Sequence, residues 1–136
     1  LHHRLDNENT ALSSHHHILV VEDNEINAEV VKTILQSSGY QVSVASDGQK
    51  ALNACIFEKF DLILMDMQMP VMDGISATIK LRTELNFTQP IVALTANAFA
   101  EDRERCMQAG MVDLIAKPID KVALLSCIRK QLKINN

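Results

Sequence analysis

Short apolar runs recur along the chain, and each stops at a polar or charged residue. Ile18-Leu19-Val20-Val21 ends at Glu22-Asp23, and Leu62-Ile63-Leu64-Met65 ends at Asp66. Ile91-Val92-Ala93-Leu94 ends at Thr95, and Val112 to Ala116 ends at Lys117-Pro118. Runs of this length bounded by turn residues predict strands buried on both faces. Tyr40 to Ala45 alternates instead, which predicts an edge strand with one wetter side.

Helical spacing fills the gaps. After Asn24, a capping residue, Ile26, Val30 and Ile34 with Val31 and Leu35 form a predicted inner stripe that stops at Ser37-Ser38-Gly39. Asp47-Gly48 opens a second helix with Ala51, Leu52, Cys55 and Ile56 inward. A third runs from Ile75 to Leu85, and a fourth from Phe99 to Ala109 with Gly110 closing it. Asp120 caps a last helix with Val122, Leu125, Ile128 and Leu132 on one face. Strand and helix alternate five times. That pattern predicts a single α/β domain: a doubly wound, five-stranded parallel sheet in the flavodoxin-like order 2-1-3-4-5, with helices on both faces.

With 136 residues, one domain is expected, spanning 17–136, and 47% hydrophobic residues suit a buried core. Residues 1–16 are polar and aperiodic and read as a linker or disordered lead-in. All five histidines (His2, His3, His15, His16 and His17) fall in it or at its end, so the folded body is expected to hold no histidine and no His general base. No apolar run approaches membrane-spanning length, and no signal peptide is apparent, so a cytoplasmic domain without direct membrane contact is expected. The net charge of −4 and 4% aromatics argue against nucleic acid as a partner. Cys55, Cys106 and Cys127 sit among apolar neighbours and read as reduced core residues. The start at Leu1 suggests a piece of a longer chain.

The chemistry lies in the strand ends. Parallel strands bring Glu22, Asp23, Asp66, Thr95 and Lys117 to one edge of the sheet, where such folds open their ligand crevice. Singly, each has an ordinary explanation: Glu22 or Asp23 could cap the first helix, Thr95 the fourth, and Lys117 could be a solvated charge. Together at one edge they form a set. Three crowded carboxylates repel one another, and a hard divalent cation, Mg²⁺ or Mn²⁺, relieves that repulsion. A carboxylate nucleophile, a metal, an ammonium and a hydroxyl are the parts of phosphoryl transfer to Asp66, giving an acyl phosphate.

Four motifs carry a resemblance. Val20-Val21-Glu22-Asp23-Asn24-Glu25-Ile26-Asn27, Asp66-Met67-Gln68-Met69-Pro70-Val71-Met72-Asp73-Gly74, Leu94-Thr95-Ala96-Asn97-Ala98 and Ala116-Lys117-Pro118-Ile119 resemble, in order and spacing, the motifs of response-regulator receiver domains. The similarity runs from about His17 to Lys133, and the wording is most like receivers of hybrid histidine kinases and multistep phosphorelays. The resemblance implies that Asp66 accepts a phosphoryl group from a phosphohistidine. Asp23, Asp66 and the backbone carbonyl of Gln68 would hold Mg²⁺, with Glu22 acting directly or through water. Lys117 would pair with the acyl phosphate, after a cis bond to Pro118. Thr95 would bond a phosphoryl oxygen, and Gln68 and Asn97 would tune the phosphate's lifetime. The implied partners are a histidine-kinase core, in the same chain or another, and a histidine-containing phosphotransfer domain. The domain would be a monomer or weak dimer and not a turnover enzyme by itself. Leu114 departs from the pattern, standing where the family commonly has Tyr or Phe, which puts the conformational switch in question.

Two other functions fit the fold less well. A phosphatase of the haloacid-dehalogenase type would want a second acid where Gln68 stands, and a flavin carrier's phosphate would be repelled by Glu22-Asp23. A receiver reduced to a binding module rests on Leu114 alone.

Overall fold

The computed structural model describes residues 16–97 and 99–133. Five parallel strands, β1 (His17–Val21), β2 (Gln41–Ala45), β3 (Leu62–Asp66), β4 (Ile91–Thr95) and β5 (Asp113–Ala116), form one sheet in the order β2-β1-β3-β4-β5. Five helices alternate with them: α1 (Glu25–Ser37), α2 (Gly48–Phe57), α3 (Gly74–Thr83), α4 (Ala100–Ala109) and α5 (Lys121–Leu132). The apolar runs are continuous because successive residues serve opposite faces. Leu19, Val21, Ile63 and Met65 meet α2, α3 and α4 through Ala51, Leu52, Ala77, Leu81 and Cys106. Ile18, Val20, Leu62 and Leu64 meet α1 and α5 through Val31, Leu35, Leu124 and Ile128.

Four helices start on a side-chain cap. Asn24, Asp47, Asp73 and Asp120 accept from the amides of Asn27, Lys50, Ser76 and Ala123 at 2.8–2.9 Å, each stabilising its helix by about 1 kcal/mol. α4 is the exception, since Phe99 precedes it without a side-chain cap. Among the described residues, no helix is long and apolar enough to cross a membrane.

Several expected faces are rotated. In α1 the buried residues are Ala28, Val31 and Leu35, with Ile34 at the margin, while Ile26 is 75% and Val30 48% exposed. At ~100° per residue, Ile26 and Val30 point almost opposite to Leu35. Ile56 in α2 and Val122 in α5 are also exposed, and Leu124 takes the inner place expected for Val122. The expectation that the folded body lacks histidine also fails. His17 opens β1, its ring 4.6 Å from Phe60 and its Nε2 2.8 Å from Ser43 Oγ. It sits at the far end of β1 from Glu22. The expected lead-in lies outside the described residues except for His16.

The three thiols are free. Burial, with help from Glu58, pushes Cys55 up to about 11, and burial with Asp113 pushes Cys127 up to about 12. At pH 8 a thiol of pKa ~11 is only ~0.1% thiolate, against roughly a fifth for an unperturbed one. Alkylation of Cys55 and Cys127 at pH 8 is therefore expected to run at least about tenfold slower in the native protein than in urea. Peptide-resolved labelling rates check this, and equal rates would contradict it.

Candidate functional site

Asp66 is the last residue of β3, a central strand, and is only 3% exposed. The chain holds it from both sides. The Met67 amide donates to Leu94 O at 3.0 Å, and the Gly74 amide donates to Met67 O at 3.2 Å. Gly74 must be glycine for the loop to come this close. A Cβ there would run into the Asp66 carbonyl oxygen and lie 3.1 Å from both Met65 Cγ and Met67 Cα. The sequence signal for this role was the glycine after Asp73, which by itself reads only as the end of a turn.

Glu22 follows β1, where its amide donates to Ala45 O at 3.0 Å. Its side chain is buried, and Asp23 beside it is exposed. Carboxylate oxygens of Glu22, Asp23 and Asp66 lie within 4.8 Å of one another. Lys117 enters from the end of β5, its amide donating to Thr95 O at 2.7 Å and its bond to Pro118 cis. Lys117 Nζ stands 3.2 Å from Glu22 Oε1 and 3.2 Å from Asp66 Oδ1. Four of the residues expected at this edge are thus together.

Burial raises the Glu22 carboxyl above its usual range, and neighbouring Asp66 raises it further, while the Asn24 amide and Lys117 offset part of this. Burial works to lower the Lys117 ammonium, but Asp66 and Glu22 outweigh it and leave its pKa raised. Among the described residues, one cation stands against this cluster of three acids, paired with Glu22 and Asp66. Glu22 Oε1 lies close to Lys117 yet takes no aligned hydrogen bond, so a buried carboxylate oxygen is left with unused acceptor capacity. Three carboxylates and one ammonium leave a deficit that a divalent cation matches in sign and size. The donor set, all oxygen with no histidine or thiol, suits a hard cation.

The side chains of the remaining candidates make no hydrogen bond to this cluster among the described residues. Thr95 is buried, and its hydroxyl donates to Asn97 O at 2.7 Å while accepting from the Asn97 amide at 3.1 Å. It is engaged with its own loop. The Gln68 side chain is exposed, but its amide donates to Asp66 Oδ1 at 3.3 Å. The Asn97 side chain is exposed on the β4–α4 loop. Leu114 is 8% exposed and packs in the core on the α2–α4 face.

Sequence reasoning missed a neighbouring surface. A groove of about 480 Å³ runs between α1 and the β5–α5 loop, lined by Asn27, Val30, Val31, Pro118 and Ile119 and edged by Glu22 and Lys117. The exposed Ile26 and Val30 lie on the same helix.

The response regulator receiver domain family matches residues 18–129. The sensor histidine kinase RcsC of Salmonella typhi is 43% identical over 107 residues, 79% of this chain and 11% of that protein. The osmosensing histidine protein kinase SLN1 of Saccharomyces cerevisiae is 39% identical over 130 residues, 88% of this chain and 11% of that protein. The chain thus spans about a tenth of the curated relatives it matches. Among solved structures, the receiver domain of the Pseudomonas aeruginosa sensor histidine kinase PA1611 has 43% identity and a TM-score of 0.79. The match covers 87% of this chain and 98% of that one, which has a magnesium ion coordinated in its active site cleft. Chemotaxis protein CheY4 of Vibrio cholerae matches with a TM-score of 0.82 at 29% identity, covering 85% and 98%.

Proposed function

Because this chain belongs to the response regulator receiver domain family, we propose that it accepts a phosphoryl group from a phosphohistidine onto Asp66 and passes it on within a two-component phosphorelay. The observation that carries this reading is a buried Asp66 with Lys117 Nζ at 3.2 Å and two further carboxylates within 4.8 Å. The Gln68 amide and Lys117 both sit on Asp66 Oδ1, which leaves Oδ2 as the attacking atom. Oδ2 forms the new O–P bond, the P–N bond to the donor imidazole breaks, and the product is an acyl phosphate. Lys117 stays protonated and follows the charge onto the phosphoryl oxygens. Thr95 reaches one of those oxygens only by releasing Asn97 O. Gln68 and Asn97, exposed on the two flanking loops, are placed to tune water's approach. Gln68 has no proton to give, which disfavours a phosphatase of the Asp-x-Asp kind.

Glu22, Asp23, Asp66 and the Gln68 carbonyl would hold Mg²⁺, with Mn²⁺ as a substitute. Bound there, the cation supplies charge neutralisation for the incoming phosphoryl group. Mg²⁺ at about 100 times its Kd should stabilise the fold by about 2.7 kcal/mol. Thermal unfolding with Mg²⁺ against EDTA checks this. Asp23→Asn should remove most of the difference, and an unchanged Mg²⁺ effect in that variant would contradict the assignment.

The partners are a histidine-kinase core and a histidine-containing phosphotransfer domain. The relatives are sensor histidine kinases, so a hybrid-kinase parent, membrane-anchored with this domain on the cytoplasmic side, is the favoured setting. The exposed Val30 lines the groove that leads to Lys117, and exposed Ile26 lies one turn before it on α1; together they suit a helical partner that must bring its histidine to Asp66. The Ile26→Asp/Val30→Asp pair should slow transfer from a phosphohistidine protein by about tenfold or more. Phosphorylation by a small donor should change less than about twofold, since no partner surface is used. Equal losses with both donors would contradict a docking role.

The function itself is tested by intact mass after incubation with Mg²⁺ and a small phosphoryl donor. One added phosphoryl group is expected, absent with chelator and in Asp66→Asn. Addition that persists in Asp66→Asn would overturn the assignment.

A further inference from the structure

The loop between β3 and α3, residues 67–73, is seated on the body by thioethers. Gln68, Pro70, Val71 and Asp73 are exposed. The other three residues are Met67, Met69 and Met72, each partly buried against the core beneath α2, α3 and α4. The seat is tight at Met72, where a Cβ on Gly48 would lie 2.8 Å from Met72 O and 3.0 Å from Met72 Cβ. The loop is also strained. Val71 has a φ of 70°, in the left-handed region that disfavours a β-branched side chain. The Met72 amide donates to Pro70 O at 2.7 Å, closing a three-residue turn around it. A strained loop keeps its shape only while its surroundings hold it. Met67 Sδ is engaged inward, accepting from the buried Cys106 thiol at 3.7 Å. Among the described residues, the sulfurs of Met69 and Met72 take no such bond.

We propose that Met69 and Met72 form a peroxide-sensitive modification site, whose conversion to sulfoxides unseats this loop and weakens cation binding at Asp66. This rests on reading Glu22, Asp23, Asp66 and the Gln68 carbonyl as the Mg²⁺ site. The thioether sulfur attacks one oxygen of hydrogen peroxide. The S–O bond forms, the O–O bond breaks, and sulfur is oxidised by two electrons. The proton on the transferred oxygen passes to the departing hydroxide, which leaves as water. The sulfoxide is polar and loses its place against an apolar core. Gln68 lies between Met67 and Met69, and its amide sits on Asp66 Oδ1 at 3.3 Å, so a displaced loop moves both the Gln68 carbonyl and a contact of Asp66. The thiols compete poorly for peroxide. Burial holds them protonated, Cys55 at about 11, Cys127 at about 12 and Cys106 also raised, and the thiolate is the reactive form.

The test uses the 136-residue chain, hydrogen peroxide stopped with catalase, peptide mass for each methionine, and calorimetric Mg²⁺ titration. Sulfoxide is expected at Met69, at Met72 and at exposed Met107 on α4, with buried Met65 and Met111 spared. The oxidised chain should bind Mg²⁺ about tenfold more weakly, the scale of losing a ligand's support, while its far-ultraviolet circular dichroism stays that of the folded protein. Methionine sulfoxide reductase should restore the affinity. The Met69→Leu/Met72→Leu pair keeps apolar volume, so its affinities before and after peroxide should agree within about twofold. Met107→Leu should leave the peroxide effect in place. Four results would overturn the modification site and leave the Mg²⁺ site standing: no sulfoxide at Met69 or Met72, sulfoxide there with unchanged affinity, an equal loss in the leucine pair, or a loss that comes with global unfolding. No Mg²⁺ binding by the untreated chain would remove the cation-site reading and the proposal with it.

Discussion

Lys117→Ala is expected to cost the fold about 2–3 kcal/mol and to slow phosphoryl uptake by about 100-fold or more. Its ammonium lies 3.2 Å from both Glu22 and Asp66, and among the described residues it is the single cation in contact with that acidic cluster. Removing it leaves buried Glu22 and Asp66 facing each other without a counter-charge. Breaking a fully buried pair costs roughly 3–5 kcal/mol. The Lys117 side chain is 26% exposed, so water screens part of the field and the lower figure applies. Urea unfolding without metal measures the stability loss. Glu22→Gln in the same background should return part of it by removing the unpaired charge. Uptake should not return, because the phosphoryl oxygens still lack their cation. Wild-type stability in Lys117→Ala would contradict this electrostatic account.

Gly74→Ala should be at least as damaging, though it adds only one methyl group and removes no charge. The new Cβ meets the Asp66 carbonyl oxygen, with Met65 and Met67 crowding the same point. Met65 and Asp66 belong to a central strand hydrogen-bonded to β1 and β4, and the Met67 backbone is bonded to Leu94 and Gly74, so they have little room to yield. Overpacking against a rigid neighbour costs about 1–3 kcal/mol, occasionally more. The upper end is expected, together with weaker Mg²⁺ binding, since the strain is relieved only by displacing Asp66 or the loop. Gly48→Ala is the comparison. Its Cβ would press on Met72 O at 2.8 Å, in a loop, and on Ala77 Cβ at 3.1 Å. It should lose stability with less effect on metal binding. If Gly74→Ala matched the wild type in both measurements, the close approach would not matter.

The sheet and the acidic cluster were legible in the sequence for one physical reason. Strands buried on both faces need unbroken apolar runs, so their ends, where Glu22, Asp66, Thr95 and Lys117 stand, are sharp. Parallel direction then follows from strand–helix alternation, and the order from the flavodoxin-like pattern of small doubly wound domains. What stayed hidden depends on which neighbour covers a surface. Periodicity marks an apolar stripe on α1 but does not say that Ala28 faces the core while Ile26 faces solvent. The inner face of α4 was equally invisible, because Cys106 is its one buried residue. His17 was read with the polar lead-in, because a histidine at a strand's first position looks like its predecessors. The orientation of the Thr95 hydroxyl toward Asn97 is a property of the folded loop, with no trace in the apolar pattern.

The most direct measurement is to locate the phosphoryl group. After incubation with Mg²⁺ and a small donor, borohydride reduction converts an aspartyl phosphate to homoserine, and peptide mass finds the altered position. One homoserine is expected, at position 66, and none when chelator is present. Reduction at Asp23, at Asp73 or at no aspartate would contradict it.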